Sequence, residues 1–324
     1  MTKRKPRILV AGSLVMDLIC SAPRFPQSGE TVIGTDFSTA PGGKGANQAV
    51  QAARLGAEVA MVGKIGRDDF GRQILSSLRE SGVDTSGVRL SESRPTAIGN
   101  IQLEVTEAGT ANRILVIPGA NMDWEERDLA LLEEKIPGCG MLILQLEIPT
   151  EVDLAAARIA RRYGVPVMLN SAPSAPIPEE LLSGLDYISP NEHEAYDLTG
   201  VRVSDLSSAR EAADILLRRG VKNVIITLGS RGAVFSDGTR FLHGPCVDFA
   251  PTLDPTAAGD SFVGAFSVAV CLGAEPEEAL TFANHTAAIT VSRMGAQPSL
   301  PALPEVTDFL KRNGHDVSRY TEDL

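Results

Sequence analysis

The sequence predicts an α/β fold, a Rossmann-type three-layer sandwich in which helices cover both faces of a mostly parallel sheet. Three observations support this prediction. Short, continuously apolar runs recur along the chain, as expected of strands buried on both faces. Segments with apolar residues at three- and four-residue spacing separate many of them, which is typical of helices. After Asp260 the chain becomes helical, without clear intervening strands. Alternating strands and helices indicate a parallel sheet.

The predicted strands, in chain order, are residues 8–10, 59–62, 114–117, 141–146, 165–169, 187–188, 224–228 and 233–235. The predicted helices between them are residues 46–55, 70–81, 151–163, 192–199 and 207–219. Two further segments, 31–39 and 96–120, alternate polar and apolar residues and carry Gly and Asn turn signals. This pattern is typical of antiparallel strands with one exposed face, so a small flap beside the main sheet is expected.

Composition excludes several classes of protein. The chain has 324 residues, 43% of them hydrophobic, which rules out a disordered or fibrous protein. The net charge of −11 argues against binding to nucleic acid, and no apolar stretch approaches the ~18 residues of a membrane span. Four widely spaced cysteines favour a reduced, cytoplasmic location. No linker or repeat marks a boundary, so residues 1–324 are predicted to form a single domain.

A glycine-rich turn, Pro41 to Gln48, precedes the first predicted helix. Glycines allow a ligand to approach the backbone closely, and a helix N-terminus offers unpaired amides. The spacing matches neither a P-loop nor a GxGxxG turn, and such turns are often plain connectors. The embedded Lys44 and Asn47 distinguish this one, because both can bind hydroxyl groups.

A second turn, Asp254 to Ser261, leads into an apolar helix. Its small residues predict that the amides of Ala257, Ala258 and Gly259 are free to converge on an anion. Asp260 would then lie beside that anion and accept a proton from an attacking hydroxyl group. The alternative is that Asp260 is an ordinary first-turn residue, stabilised by the helix dipole.

Weaker signals lie elsewhere. Asn191 to Glu194 contains a histidine between carboxylates but lacks metal-ligand spacing, so a solvated helix face is the simpler interpretation. The segment Thr227 to Gly232 lies at the end of an apolar strand. Open α/β sheets bind ligands at such strand ends, but a simple turn is the alternative. Glu147 closes another strand. No GxSxG elbow is present, so hydrolase chemistry is not supported.

Together and in this order, these segments resemble the ribokinase-like (PfkB) family of carbohydrate kinases, and the ribokinase branch most closely. The resemblance extends from Gly12-Ser13 to the segment Gly295 to Ser299. It depends chiefly on the pair GGKGANQA and AAGD. It implies transfer of a phosphoryl group from MgATP to the primary hydroxyl of a pentose, with ribose expected. Asp260 would be the base, and Ala257 to Gly259 the anion hole.

The resemblance also implies roles for other residues. Sugar hydroxyls would contact Asp17, Gly43, Lys44, Asn47, Glu147 and Asp260. ATP would contact Asn191, Glu194, Thr227, Gly229, Gly232 and Asn284, with Glu194 near Mg²⁺. An activating K⁺ would be bound at Asp254, Thr256, Thr290, Arg293, Gly295 and Ser299. Strands from about 14–40 and 96–120 would form a lid over the sugar and build a homodimer.

One position departs from the family pattern. Ribokinases usually carry Asn two residues before the sugar-binding aspartate, whereas this chain has Val15 before Asp17. An apolar residue there resembles the 2-deoxyribose kinases. A kinase for 2-deoxyribose, another furanose or a nucleoside therefore remains an alternative, as does a non-catalytic sugar or nucleotide sensor on the same fold.

Overall fold

The central layer is a nine-stranded sheet. The computed structural model describes residues 5–106 and 109–321. The strands of this sheet are β1 (Arg7–Ala11), β4 (Glu58–Ile65), β5 (Asp84–Leu90), β8 (Met141–Gln145), β9 (Val167–Asn170), β10 (Tyr187–Ile188), β11 (Asn223–Thr227), β12 (Ala233–Ser236) and β13 (Phe241–Gly244). Their order is β13-β12-β11-β10-β9-β8-β1-β4-β5, and only the pairs that involve β12 and β13 at one edge are antiparallel. The predicted mostly parallel sheet is confirmed.

Helices cover both faces of the sheet. They are α1 (Lys44–Arg54), α2 (Asp69–Glu80), α3 (Glu126–Lys135), α4 (Thr150–Tyr163), α5 (Glu179–Leu182), α6 (Glu192–Thr199), α7 (Leu206–Arg218), α8 (Ala258–Cys271), α9 (Pro276–Thr290), α10 (Leu303–Arg312) and α11 (Ser318–Thr321). Among the described residues, no helix has both the length and the apolar character needed to cross a bilayer.

Two hydrophobic cores lie on opposite faces of the sheet. Successive residues of β1 alternate between them: Ile8 and Val10 pack with α1, α8 and α9, whereas Leu9 and Ala11 pack with α3, α4 and α7. This alternation is the two-residue period of a strand, applied to a strand that is apolar throughout. The predicted three-layer arrangement follows from it.

A second, four-stranded sheet lies beside the first, with strand order β3-β2-β6-β7. Its strands are β2 (Val15–Ala22), β3 (Asp36–Gly42), β6 (Ala97–Thr106) and β7 (Gly109–Ile117). We call it the small sheet. The strand predicted at residues 31–39 begins only at residue 36, because residues 31–35 contribute one backbone bond at their end, from the Thr35 amide to the Ser21 carbonyl.

The four connections between the two sheets all lie at one end of the small sheet. Val15, where β2 starts, pairs with both Gly42, where β3 ends, and Ala97, where β6 starts. Ile117, where β7 ends, pairs with Ile98. Parallel pairing of β2 with β6 makes this possible, since both strands leave the main sheet in the same direction.

Candidate active site

A cavity of about 210 Å³ lies at the carboxyl ends of the parallel strands, where open α/β sheets bind ligands. It brings together residues from five segments that are far apart in the sequence. Its lining includes Lys44, Asn191, Glu194, Thr227 and the run Ala257 to Asp260. Of the other predicted residues, Asn47 reaches this group through a hydrogen bond to Asp260.

Asp260 lies in the first turn of α8 and is 6% exposed. Its Oδ2 accepts a hydrogen bond from Asn47 Nδ2 at 2.9 Å, and its Oδ1 accepts one from Gln48 Nε2 at 2.9 Å. Both donors come from α1, which follows the glycine-rich turn. The carboxylate is therefore positioned by the other half of the motif pair.

The turn before α8 has an unusual backbone. Ala257, the N-cap of α8, has φ 61°, the only positive φ of a non-glycine residue in the described chain. Such a conformation costs alanine about 1 to 2 kcal/mol, which is typical of functional turns. One detail of the prediction is wrong. The Ala258 amide donates to the Pro255 carbonyl at 3.2 Å, because the turn closes on itself there. Within the described residues, the Ala257 and Gly259 amides have no acceptor.

The N-terminus of α1 is held by Glu147. Glu147 Oε2 accepts a hydrogen bond from the Lys44 amide at 3.1 Å and another from the Ser13 hydroxyl. An anion at this position also stabilises the helix dipole. Burial opposes a charge on Lys44, but the nearby carboxylates of Asp260, Glu147 and Glu194 outweigh it and raise the lysine pKa. The Lys44 ammonium thus stays charged among three carboxylates.

Asp17 lies on β2 and faces two glycines. A Cβ atom added to either Gly42 or Gly99 would lie 2.5 Å from the Asp17 carboxylate, so a side chain at either position would displace that carboxylate. Burial, followed by the charges of Glu147 and Asp260, raises the pKa of Asp17 to about 7. This carboxyl group therefore titrates near neutral pH.

Asn191 and Glu194 form a capping box at the start of α6. Asn191 Oδ1 accepts from the Glu194 amide at 2.9 Å, and Glu194 Oε2 accepts from the Asn191 amide at 2.9 Å. Burial raises the pKa of Glu194, which is 7% exposed. Within residues 5–106 and 109–321, no group of three or more His, Cys, Asp or Glu side chains is arranged to hold a metal ion.

The segment after β11 shows why glycine is needed. Gly229 and Gly232 have φ values of 54° and 87°, and a Cβ atom on Gly232 would lie 2.1 Å from the Gly244 carbonyl oxygen. Thr227 ends β11 and lines the cavity. Asn284 lies apart from the cavity lining, and its Nδ2 donates to the carbonyls of Gly244 and Pro245 at 2.9 and 3.2 Å.

Of the residues predicted to bind a monovalent cation, Asp254, Thr256 and Gly295 meet at the turn before α8. Asp254 joins two segments: Oδ1 accepts from the Thr256 amide at 2.9 Å, and Oδ2 from the Gly295 amide at 2.8 Å. Thr290 is fully buried, and its hydroxyl lies 2.7 Å from the Ser261 hydroxyl. The Ser299 hydroxyl donates to the Ala296 carbonyl, whereas the Arg293 guanidinium pairs with Glu305.

Several residues around the site were not predicted. Gln48, Gln145 and Asn170 form a buried chain of amides that ends on Asp260. Asn121 binds both the amide and the carbonyl of Leu14, at 3.0 and 3.1 Å, where the chain enters β2. Of these, only Gln48 carries a sequence signal, since it belongs to the glycine-rich motif.

Known proteins resemble the chain over almost its whole length. The sequence profile of the pfkB family of carbohydrate kinases matches residues 5–303. The chain belongs to this family. Within the family it is 40% identical to a ribokinase from Haemophilus influenzae, over 94% of this chain and 98% of that one. It is 41% identical to a ribokinase from Schizosaccharomyces pombe, over 94% and 99%.

A family structure, that of Arabidopsis thaliana ribokinase complexed with ribose and ATP, superposes with a TM-score of 0.88. It has 34% sequence identity and coverage of 95% and 99%. The predicted family and fold class are both confirmed.

Proposed function

We propose that the protein phosphorylates the primary hydroxyl of ribose, with ATP as the phosphoryl donor. The observation that carries the proposal is the position of Asp260, a buried carboxylate at the start of α8, beside a small-residue turn with unpaired amides. The similar proteins of H. influenzae and S. pombe are named ribokinases, and the related A. thaliana structure contains ribose and ATP.

In this proposal Asp260 is the general base. It accepts the proton of the sugar hydroxyl as the hydroxyl oxygen attacks the terminal phosphorus of ATP and the bond from that phosphorus to the ADP oxygen breaks. The charge of the transferring group would be stabilised by the amides of Ala257 and Gly259 and by the Lys44 ammonium. The Ala258 amide, which bonds to Pro255, contributes less.

Further residues would hold the reactants. Sugar hydroxyls would bind the carboxylates of Asp17 and Glu147, the Gly43 backbone, Lys44 and Asn47. ATP would lie along Asn191, Thr227, Gly229 and Gly232. Asn284 would contribute through its carbonyl oxygen, since its nitrogen is already bonded.

Two cations would assist ATP. A single carboxylate such as Glu194 suits Mg²⁺, which usually binds one or two protein carboxylates together with phosphates. Mg²⁺ would neutralise phosphate charge. K⁺ would occupy the turn held by Asp254, with Thr256, Thr290, Arg293, Gly295 and Ser299 around it. Most of these would contribute backbone carbonyls, because the side chains of Asp254, Arg293 and Ser299 already have partners.

The small sheet would act as a lid over the sugar within a single domain. Asp17 lies on its central strand β2 and pairs in register with Gly99 of β6. A lid would exclude water from the reacting groups. Four free cysteines support the cytoplasmic location predicted from the sequence.

The proposal is tested by measuring ADP release on a panel of pentoses, hexoses and nucleosides with MgATP and K⁺. Ribose is expected to support turnover, with the phosphate on its primary hydroxyl. A non-catalytic sensor would bind ligands without releasing ADP, and this outcome would contradict the proposal.

Val15 favours 2-deoxyribose as a second candidate substrate. It is 5% exposed, and its Cγ2 would lie 3.0 Å from a Cβ atom on Gly43. An apolar side chain therefore faces the glycine-rich turn, which is proposed to bind the sugar. We expect Val15→Asn to raise the ratio of kcat/KM for ribose over 2-deoxyribose by roughly 10-fold, because one hydrogen bond to a hydroxyl discriminates by about 1 to 3 kcal/mol. An unchanged ratio would remove Val15 from substrate selection.

Asp17 predicts a pH dependence of sugar binding. Its pKa of about 7 means that the ionised, hydrogen-bond-accepting form increases from pH 6 to pH 8. The KM for ribose at saturating MgATP should therefore fall by up to roughly 10-fold over this range. Asp17→Asn should flatten the profile, and a wild-type profile that is already flat would contradict the assignment.

The raised pKa of Asp17 also makes the stability of the fold depend on pH. Because the folded protein holds a proton on Asp17 that the unfolded chain loses near its usual pKa of 3.8, this group's contribution to stability falls as pH rises from about 4 to about 7.

A homodimer through the small sheet would cover its apolar edge. Leu115 and Ile117 of β7 are 63% and 46% exposed, and they point away from the face that carries Asp17. Sedimentation is expected to give twice the chain mass for the wild type and a single chain for Leu115→Lys. Leu206→Lys, on α7, is the matched control and should leave the dimer intact. A dimer that persists in Leu115→Lys would place the interface elsewhere.

A further inference from the structure

A buried chain of side-chain amides connects the core of the sheet with Asp260. Gln145, the last residue of β8, donates from Nε2 to Gln48 Oε1 at 2.7 Å. Gln48 Nε2 then donates to Asp260 Oδ1 at 2.9 Å and to Asn170 Oδ1 at 3.1 Å. Gln48 and Gln145 are fully buried, and Asn170 is 7% exposed. We call these three residues the amide chain.

The orientation of Gln48 is determined by its partners. An ionised carboxylate accepts hydrogen bonds and cannot donate them, so Asp260 requires the NH₂ group of Gln48 on its side. Rotating this amide by 180° would place Gln48 Oε1 against two acceptors and its nitrogen against the Gln145 nitrogen. Gln48 is therefore held in the one orientation that presents a donor to Asp260 Oδ1.

The amide chain has little freedom to move. A Cβ atom at Gly12 would lie 1.8 Å from Gln145 Oε1, so the Gln145 amide lies directly against the backbone that follows β1. At the other end, Asn170 Nδ2 donates to the Ser189 carbonyl at 3.0 Å. Gln145 at the end of β8 and Asn170 at the end of β9 thus fix the position of Gln48.

Asp260 lies close to several other charged groups. Lys44 from α1, Asp17 from β2 and Glu194 from α6 all interact with it electrostatically, and Glu147 after β8 acts in turn on Asp17 and Lys44. Asn47 donates to Oδ2 only. Loss of the Gln48 donor would leave Oδ1 without its hydrogen bond and would favour the protonated carboxyl group.

We propose that Gln48 is a positioning residue for phosphoryl transfer, which orients the Asp260 carboxylate and favours its ionised form. The inference rests on the proposed role of Asp260 as base. Gln48 is fully buried and does not line the cavity that Asp260 faces. Its loss therefore affects the chemical step and not the binding of ribose or ATP.

The test compares Gln48→Met with Gln51→Met. Gln51 lies one turn later on α1, is also fully buried, and bonds to Ser261 Oγ and the Pro301 carbonyl instead of Asp260. Gln48→Met is expected to lower kcat roughly 10- to 100-fold and to leave both KM values within about threefold. The acid limb of its kcat profile should move to higher pH, because a donor to the ionised carboxylate is lost. Gln51→Met should keep the wild-type acid limb.

Gln145→Met is the second variant, because it removes the support of Gln48 without touching Asp260. A smaller fall in kcat, with a shift of the acid limb in the same direction, supports the proposal. Lower thermal stability in Gln48→Met or Gln145→Met with an unmoved acid limb would overturn it, since it shows a role in packing alone. Asp260→Asn separates the two hypotheses. If that variant stays active, the assigned function of Asp260 fails, whereas an inactive Asp260→Asn with a normal Gln48→Met overturns only the inference about Gln48.

Discussion

Asp260→Asn is expected to lower kcat for ribose phosphorylation by roughly 10²- to 10⁴-fold, the usual contribution of a general base. The substitution keeps the volume of the side chain but removes the proton acceptor. It also turns an NH₂ group toward Asn47 or Gln48, both of which donate to this position. Steady-state ADP release at saturating ribose and MgATP measures the effect, and the KM values should change much less than kcat.

Asp153→Asn is the matched control for that substitution. Asp153 is, like Asp260, a buried aspartate near the start of a helix, but its carboxyl oxygens have no hydrogen-bond partner within the described chain. Burial, followed by the nearby Glu151 charge, raises its pKa well above the usual value, so an amide resembles its protonated form. Asp153→Asn should keep wild-type kcat. Equal activity of Asp260→Asn and the wild type would remove Asp260 from catalysis.

Gly43→Ala should lower both stability and activity, because the backbone at Gly43 excludes a side chain. Its φ and ψ are 89° and 134°, and an added Cβ atom would lie 2.8 Å from the Val15 amide nitrogen. Backbone strain and overpacking together should lower the free energy of unfolding by roughly 2 to 4 kcal/mol. Because the same displacement moves Lys44 and Val15, kcat/KM for ribose should fall roughly 100-fold.

Gly82→Ala is the control that measures the effect of backbone strain alone, away from the candidate site. Gly82 has φ 82°, but no atom lies within 4 Å of its added Cβ. Denaturant unfolding should therefore show a loss of only about 1 to 2 kcal/mol, with kcat/KM unchanged. If Gly43→Ala keeps wild-type kcat/KM, the glycine-rich turn does not position the sugar.

Much of the fold could be predicted because its strands are buried on both faces and read as continuous apolar runs. Residues 141–145 and 223–227 are examples. The strands Asp84–Leu90 and Phe241–Gly244 were not predicted, because they lie at or next to the edges of the sheet and mix polar with apolar residues. The helix Glu126–Lys135 was missed as well, because its N-cap Glu125 makes no side-chain cap bond and does not fit the usual capping-box pattern.

Prediction of the candidate site from the sequence was limited in a different way. Its motifs lie where glycine or a charged residue is required by local geometry, so a single segment reveals them. The contacts of Asp260 with Gln48, and of Leu14 with Asn121, join residues 212 and 107 positions apart. No periodicity or motif encodes such pairs, because they depend on how separate elements pack. The bond from the Ala258 amide to Pro255 was equally hidden, since it depends on the turn adopted by the backbone.

Because its four connections all lie at one end, the small sheet would rotate as a unit about that end, which would serve as the pivot. Its longest strand, β6, has 10 residues and thus reaches roughly 30 Å from the pivot. A rotation of about 10° would then carry the free end through roughly 5 Å, while Asp17, two residues from the pivot, would move by only about 1 Å. In the proposed function, the contact of Asp17 with the sugar would therefore change little while the far end of the small sheet moved.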